Sequence, residues 1–347
     1  MRRINDQKLF NLIHDYFSLY LPNHKSASEH TLRAYRNSLN SFTEYLAEKN
    51  KVSLFDICFD MITTESIYGY IDWLKDKKSS LSTCRNRIAA IKSFLKYCAA
   101  TDMVFMKFYI AVKDVNIGKM PSVNSVDYLS EYAVRTIIEQ PDKYTLKGYR
   151  DMVLMIFLYD TAARVSETLN VRICDLKLDS TPTVTLFGKG KKYRSVPLSS
   201  RTVEHLTKYI EQYHPNTDKY SERYLFYGLT SNRHGKMSPN NVRVIVQNYG
   251  ITARKVCAEI PDNIHPHMFR HSRAMHLYQG GMDLTLISQW LGHVSLQTTL
   301  IYAHADTEQK RKAIEQATSE DNITLISTSR KFIVNDEETL KRLYGLK

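Results

Sequence analysis

The second half of the chain gathers side chains that bind oxyanions, carry protons and attack electrophiles. Five segments hold them: Thr161-Ala162-Ala163-Arg164-Val165-Ser166-Glu167, closing a strongly apolar stretch; Lys189, flanked by Gly188 and Gly190; His265-Pro266-His267-Met268-Phe269-Arg270-His271; Leu291-Gly292-His293; and Ile301-Tyr302-Ala303-His304. Arg164 and Arg270 are permanent cations whose planar forks can each donate two hydrogen bonds to the non-bridging oxygens of a phosphate. Taken singly, each segment also has a plain structural reading. Arg164 can cap a helix C-terminus, Lys189 can decorate a turn, and Tyr302 can be core, as most of the 23 tyrosines are expected to be. His267 and His271, four apart, have zinc-ligand spacing on a helix, but no HExxH glutamate accompanies them and no cysteine lies nearby.

Order and spacing decide between these readings. The constellation resembles the tyrosine recombinase family, which includes phage integrases and the Xer-type chromosome resolvases. That family shows an arginine in a T-G-x-R-x-x-E segment, a lysine in a G-K-G hairpin, then H-x-x-R-H, then L-G-H, and a tyrosine nine residues after that histidine. Here those positions are Arg164, Lys189, His267, Arg270, His293 and Tyr302, with Glu167 as the acidic residue after the first arginine. The flanking Gln289-Trp290, Thr298-Thr299 and Ala303-His304 match as well, and Thr31-Leu32-Arg33-Ala34-Tyr35-Arg36 looks like the start of the family's core-binding domain. The match fades at the extreme N-terminus and beyond residue 318. One departure is Ala162, where the family usually has Gly; a positive φ there would cost Ala on the order of 1 kcal/mol.

The resemblance implies DNA strand cleavage by Tyr302, leaving a 3′-phosphotyrosyl link and a free 5′ hydroxyl. Negative charge that builds on the phosphate in the transition state would meet Arg164 and Arg270, and preorganised electrostatics of this kind is usually the largest catalytic effect. The resemblance gives His293 a further hydrogen bond to that phosphate and has Glu167 hold Arg164 in place. A phenol with an ordinary pKa near 10 is a poor nucleophile at neutral pH, and His267 is the expected proton acceptor. Lys189, favoured over Lys191 and Lys192 by the G-K-G match, would protonate the departing 5′ oxygen. Bond energy is kept in the phosphotyrosine, so rejoining needs no ATP. The cationic side chains fill the role of a metal ion, and no cofactor is expected.

The elements that must position these residues are mostly helical. Asn5 is expected to cap a helix with Leu9, Ile13, Tyr16 and Tyr20 on one face, stopped by Pro22. Ser28 can cap a second helix carrying Leu32, Tyr35, Leu39, Phe42 and Leu46. A third pattern holds Ile67, Ile71 and Leu74. A fourth runs from Ser82 to about Cys98, with Ile88, Ile91, Leu95 and Cys98 apolar and Arg85, Lys92 and Lys96 on another face. That basic stripe suits a phosphate backbone or, as the bland alternative, a solvated face. Residues 112–126 read as a connector rich in turn formers. A helix start follows at Leu129-Ser130-Glu131, then an apolar helix over about Tyr149–Ala163. Val184–Phe187 and Arg194–Leu198 read as a β-hairpin joined through Lys189. Helical patterns resume near Arg201 and continue to about residue 318. Asn335 and Glu338 suggest a capping box for a last helix bearing Leu340, Leu343 and Tyr344.

The predicted architecture is mainly α: a helical core-binding domain over 1–115, a linker over 116–126, a mostly helical catalytic domain with a small β-hairpin layer over 127–318, and a tail over 319–347 that the family resemblance suggests is exchanged between subunits. The net charge of +12 and pI of about 9.3 favour a polyanionic partner. Five scattered cysteines without a CxxC pair read as reduced thiols of a cytoplasmic protein. The longest apolar run, Met152–Tyr159, is far short of the roughly 20 residues of a membrane span, and no signal peptide is legible. The partners implied are duplex DNA with specific recombination sites and further copies of the chain, as a tetramer on paired sites, with or without a related recombinase. Two alternatives stay open: relaxation of a single duplex in the manner of a type IB topoisomerase, and DNA binding without catalysis.

Overall fold

The computed structural model describes residues 4–118, 127–188, 192–228, 235–293, 295–305 and 336–343. The chain divides into two compact units, residues 1–123 and 124–347. Lys189, Asn335, Tyr344 and residues 306–335 lie outside the described residues, as do the side chains of Leu340 and Leu343. The closing helix exists over Glu337–Leu343. No helix among the described residues is long and apolar enough to cross a membrane.

The first unit is helical: α1 (Gln7–Asp15), α2 (Glu29–Asn50), α3 (Thr64–Asp76), α4 (Leu81–Thr101) and α5 (Met106–Lys113). The α1 cap is Asp6, one residue beyond Asn5, and its carboxylate accepts from the Leu9 N–H. Pro22 does not stop this segment. The chain continues in wider helical turns over Tyr16–His24 with Pro22 inside them, because packing of the Tyr16 ring against Tyr20, Phe94 and Tyr97 outweighs the lost N–H. Ser28 caps α2 as expected, and Leu39, Phe42 and Leu46 are buried against Ile67, Ile71, Leu74, Ile88, Ile91 and Leu95. Each such side chain contributes roughly 1.5–3 kcal/mol when removed from water. The expected connector begins later than read from composition, since Val115 and Ile117 are buried in this core.

The second unit is built on α7 (Leu146–Thr161), whose Val153, Leu154, Met155, Phe157 and Leu158 are all but fully buried. Around it lie α6 (Glu131–Ile138, capped by Ser130), the one-turn α8 (Val165–Thr168), α9 (Ser200–Tyr213), α10 (Pro239–Arg254) and α11 (Pro266–Gln279). A three-stranded antiparallel sheet packs beside them, in the order β1 (Leu176–Lys177), β2 (Thr183–Phe187), β3 (Tyr193–Pro197). Val184 and Leu186 alternate into the core while Phe187 faces out, the period-two pattern of a half-buried strand. The hairpin was legible; β1, two residues long, was not. α12 (Leu284–Leu291) and α13 (Leu300–Ala305) complete the unit, and α14 is Glu337–Leu343. A separate apolar cluster of Ala162, Ala274, Met275, Ile287, Leu291 and Tyr302 seats α12 and α13 against α11 and the end of α7.

The start of α7 is fixed by a close approach. Thr145 caps it by accepting from the Gly148 N–H at 3.1 Å, and a Cβ on Gly148 would sit 2.1 Å from the Asp142 carbonyl oxygen. Gly148→Ala must therefore shift backbone, and a loss of about 2–4 kcal/mol is expected. Urea denaturation measures it; an unchanged midpoint would mean that the turn at Asp142 yields without cost.

Candidate active site

Arg164 is placed by the way α7 ends. Thr161 is its last residue, and Ala162 follows in the left-handed region with φ 49° and ψ 28°. The positive φ suspected from the missing Gly is present, and the Ala162 methyl is fully buried, so packing partly offsets a strain of about 1 kcal/mol. The turn lets Arg164 begin α8. Glu167, three residues on, accepts from the Arg164 backbone N–H at 2.9 Å and from Arg164 Nη1 at 2.8 Å. One carboxylate thus caps the helix and holds the side chain.

Glu167 has a second partner that the sequence pattern does not announce. Arg194, on β3, donates through Nη1 and Nη2 at 3.0 and 2.7 Å and through Nε to the Trp290 carbonyl at 2.9 Å. Burial alone would raise the Glu167 pKa. The hydrogen bonds and charge of Arg194 and Arg164 outweigh it and hold the carboxyl at about 2. A signal for Arg194 was available: it is in phase with Val196 and Leu198 on a strand whose inward face is otherwise apolar.

Arg270 rises from α11 between two helix ends. Nη1 donates to the Ala162 carbonyl at 2.6 Å and Nη2 to the Leu291 carbonyl at 2.7 Å. Helix C-termini carry partial negative charge, so this guanidinium is anchored without an ion pair of its own among the described residues. Burial, then the neighbouring Arg164, lower its pKa to about 10, which leaves it charged at neutral pH. The Trp290 indole N–H donates to the Thr161 carbonyl at 3.2 Å, tying α12 to the same end of α7.

His293 follows Gly292, which ends α12 with φ 63°. Its Nδ1 lies 2.8 Å from the buried hydroxyl of Thr299, leaving Nε2 for a ligand. Desolvation first, then Arg270, Arg164 and Arg194, push its pKa to about 4. Tyr302, on α13, is 1% exposed. Burial raises its pKa to about 12, with Arg270 pulling the other way. Its hydroxyl is 3.0 Å from His271 Nδ1, a contact that the spacing of the two residues does not suggest. Desolvation, then His267 and Arg270, lower His271 to about 4. His267 is an exposed residue of α11, in a first turn whose other residues are buried, and its pKa is lowered by desolvation and then by His265, Arg270 and Arg164.

The second unit therefore brings Arg164, Glu167, Arg270, His293 and Tyr302 onto one network of helix ends. Three guanidiniums, those of Arg164, Arg194 and Arg270, face one carboxylate, and the surplus positive charge suits an anion. In the first unit, the three residues of the expected basic stripe on α4, Arg85, Lys92 and Lys96, are not equivalent. Arg85 donates to the Ile117 and Gly118 carbonyls, and Lys92 to those of Lys113 and Val115, whereas Lys96 is exposed.

Two family profiles match this chain. The one described as Phage integrase family covers residues 127–309, and the one described as Phage integrase, N-terminal SAM-like domain, covers residues 14–101. A protein named Tyrosine recombinase XerD from Staphylococcus epidermidis is 32% identical over 314 residues, 88% of this chain and 97% of the relative. One of the same name from Staphylococcus aureus is 31% identical over 84% of this chain and 93% of the relative. Among solved structures, XerH site-specific recombinase bound to difH substrate matches with a TM-score of 0.63 at 21% identity, over 91% of this chain and 90% of that one. The Tn1549 transposon integrase in complex with transposon right end DNA matches with a TM-score of 0.63 at 18% identity, over 88% and 99%.

The histidines set a pH dependence. His271 and His293 bind protons less readily folded than unfolded, so their contribution is complete above the ordinary histidine value and is lost as pH falls from about 6.5 towards 4. The urea midpoint should fall between about pH 7 and about pH 5, and His271→Gln should reduce that fall. An identical fall in the variant would show that His271 does not carry it.

Proposed function

The chain belongs to the phage integrase family of tyrosine recombinases, and from that premise we propose that Tyr302 is the nucleophile of a site-specific exchange of duplex DNA strands. The observation that carries this reading is the meeting of Arg164 and His293, which follow the ends of α7 and α12, with Arg270 of α11 and Tyr302 of α13, held by Glu167, Thr299, His271 and the helix carbonyls.

Arg164 and Arg270 bind the non-bridging oxygens of the scissile phosphate, and His293 Nε2 adds a hydrogen bond. Tyr302 Oη attacks phosphorus while its proton passes to His267. The bond from phosphorus to the 5′ oxygen breaks, and Lys189 protonates the leaving oxygen. A 5′ hydroxyl of the second duplex then attacks the 3′-phosphotyrosine, and the proton movements reverse. His271 acts differently, holding the neutral phenol in the resting protein. Because that phenol is buried, a phosphate reaches it only after α13 shifts.

Pairing two duplexes calls for more than one copy of the chain, and we place the reaction on specific recombination sites in the cytoplasm, with four copies on two sites. Strand exchange between duplexes separates this reading from relaxation of one. The tail from residue 319 passes between copies in this reading. Lys96 meets a phosphate, while Arg85 and Lys92 shape the face of α4 through the carbonyls they hold.

A nicked duplex carrying the protein's own site traps the covalent step. The wild type should accumulate a protein–DNA adduct on a denaturing gel, with or without excess EDTA, and Tyr302→Phe should bind the same DNA without forming it. An adduct with the Phe variant would assign the nucleophile elsewhere. Lys96→Ala should weaken binding and lower the salt dependence by roughly one unit of log–log slope; an unchanged slope would remove Lys96 from the interface.

A further inference from the structure

The Arg194 guanidinium sits where three segments of the site meet. Its two terminal nitrogens form a fork on the Glu167 carboxylate, and its Nε–H donates to the carbonyl of Trp290, two residues before Gly292. The Arg164 guanidinium reaches the same carboxylate through Nη1, beside the bond from the Arg164 backbone N–H. The Arg194 side chain is largely buried while that of Arg164 is far more open to solvent. Gly292 is fitted to it: a Cβ there would lie 3.0 Å from Arg194 Cδ and Nη1, and its φ of 63° already favours glycine. Arg194 also pairs with Leu186 in the β2–β3 ladder, one pair before Phe187 and Tyr193, so it stands just below the hairpin connection that contains Lys189.

These contacts divide labour between the two arginines. A buried carboxylate must be neutralised, and a two-point fork does this better than a single hydrogen bond. Were Arg164 the sole partner of Glu167, much of its charge would be cancelled before any ligand arrived. With Arg194 on the carboxylate, Arg164 is oriented by Glu167 and its charge stays available to a phosphate. The Nε–H bond to Trp290 meanwhile fixes the turn that presents His293.

We propose that Arg194 is a positioning residue for the cleavage reaction: it neutralises Glu167 so that Arg164 keeps its charge for the scissile phosphate, and it locks the β-hairpin to the turn carrying His293. Arg194 touches neither the phosphate nor the nucleophile. The inference rests on the reading of Arg164 and His293 as phosphate-binding groups.

Arg194→Lys keeps a charge near Glu167 but loses the fork and the Nε–H bond, leaving a carboxylate oxygen short of a partner so that Glu167 draws Arg164 onto itself. It should bind a half-site within about threefold of wild type and form the Tyr302 adduct roughly 10–100-fold more slowly, since misplacement of about an ångström has effects of that size. The deciding readout is a nicked substrate whose scissile phosphate is a neutral methylphosphonate. That substrate makes less demand on the charge of Arg164, so the rate gap between Arg194→Lys and wild type should narrow at least tenfold. A wild-type rate on ordinary DNA, or a gap of the same size on both substrates, overturns the proposal, the second because a general structural defect slows both alike. Should Arg194→Lys not fold, Gly292→Ala crowds the same guanidinium with β3 intact and should show the same narrowing; no slowing, or an equal gap on both substrates, overturns the proposal through this variant. Arg164→Lys is the control for the underlying reading: if it forms the adduct at the wild-type rate, the assignment of Arg164 fails, and the failure is not one of Arg194.

Discussion

The site depends on one buried anion. Glu167 is a carboxylate taken out of water, which is unfavourable unless its oxygens are fully satisfied. Here Arg164 and Arg194 supply three side-chain hydrogen bonds, and the Arg164 backbone a fourth. Removing either cation leaves a buried charge short of partners, which is far more damaging than never having had the pair. The arrangement therefore imposes geometry as much as stability. It brings the end of α7, the start of α8 and strand β3 to one point, and the other cationic groups take their places around it.

Helix ends supply the rest of the frame. Arg270 is deeply buried with no carboxylate of its own among the described residues, yet it stays charged because two helix C-termini face it. The same contacts join α7 to α12, and Trp290 joins them again through Thr161. Neutral histidines follow from the same electrostatics. Burial first, then His267 and Arg270 around His271, and Arg270, Arg164 and Arg194 around His293, make protonation of either ring unfavourable, so both present a lone pair and an N–H at neutral pH.

Much of this was legible in the residues. Ser28 and Ser130 announced their helices because a side-chain oxygen before an apolar period has one good use, to cap. The hairpin showed in alternation, and Ala162 showed as a departure whose positive φ the fold retains. What escaped depends on pairings distant in sequence. Arg194 reads as one more charge in a basic hairpin until β3 is laid against α8 and α12. His271 reads as the companion of Arg270, because the fold alone sets its ring against Tyr302 thirty-one residues away. Arg85 and Lys92 had the period of a phosphate-facing stripe, but period cannot reveal that the chain returns to offer them backbone carbonyls. Pro22 misled for the opposite reason: a local rule was outweighed by a cluster of aromatic rings.

The cationic surplus also changes the meaning of substrate binding. Before DNA arrives, burial and then the charges of His265, Arg270 and Arg164 hold the pKa of His267 down, which makes it a poor proton acceptor. A phosphodiester in the pocket adds one negative charge among these groups and opposes the part of that depression that the cations cause. The phenol is under a complementary restraint. It is neutral and buried, and leaving the apolar seat formed by Ala274, Met275, Ile287 and Leu291 means giving up that packing and the His271 hydrogen bond. In the proposed reaction, base and nucleophile are thus both held back by features that an anion or a shift of α13 would relieve. An enzyme that leaves broken DNA attached to itself gains from such a site, because the conditions for attack coincide with the presence of the phosphate to be attacked.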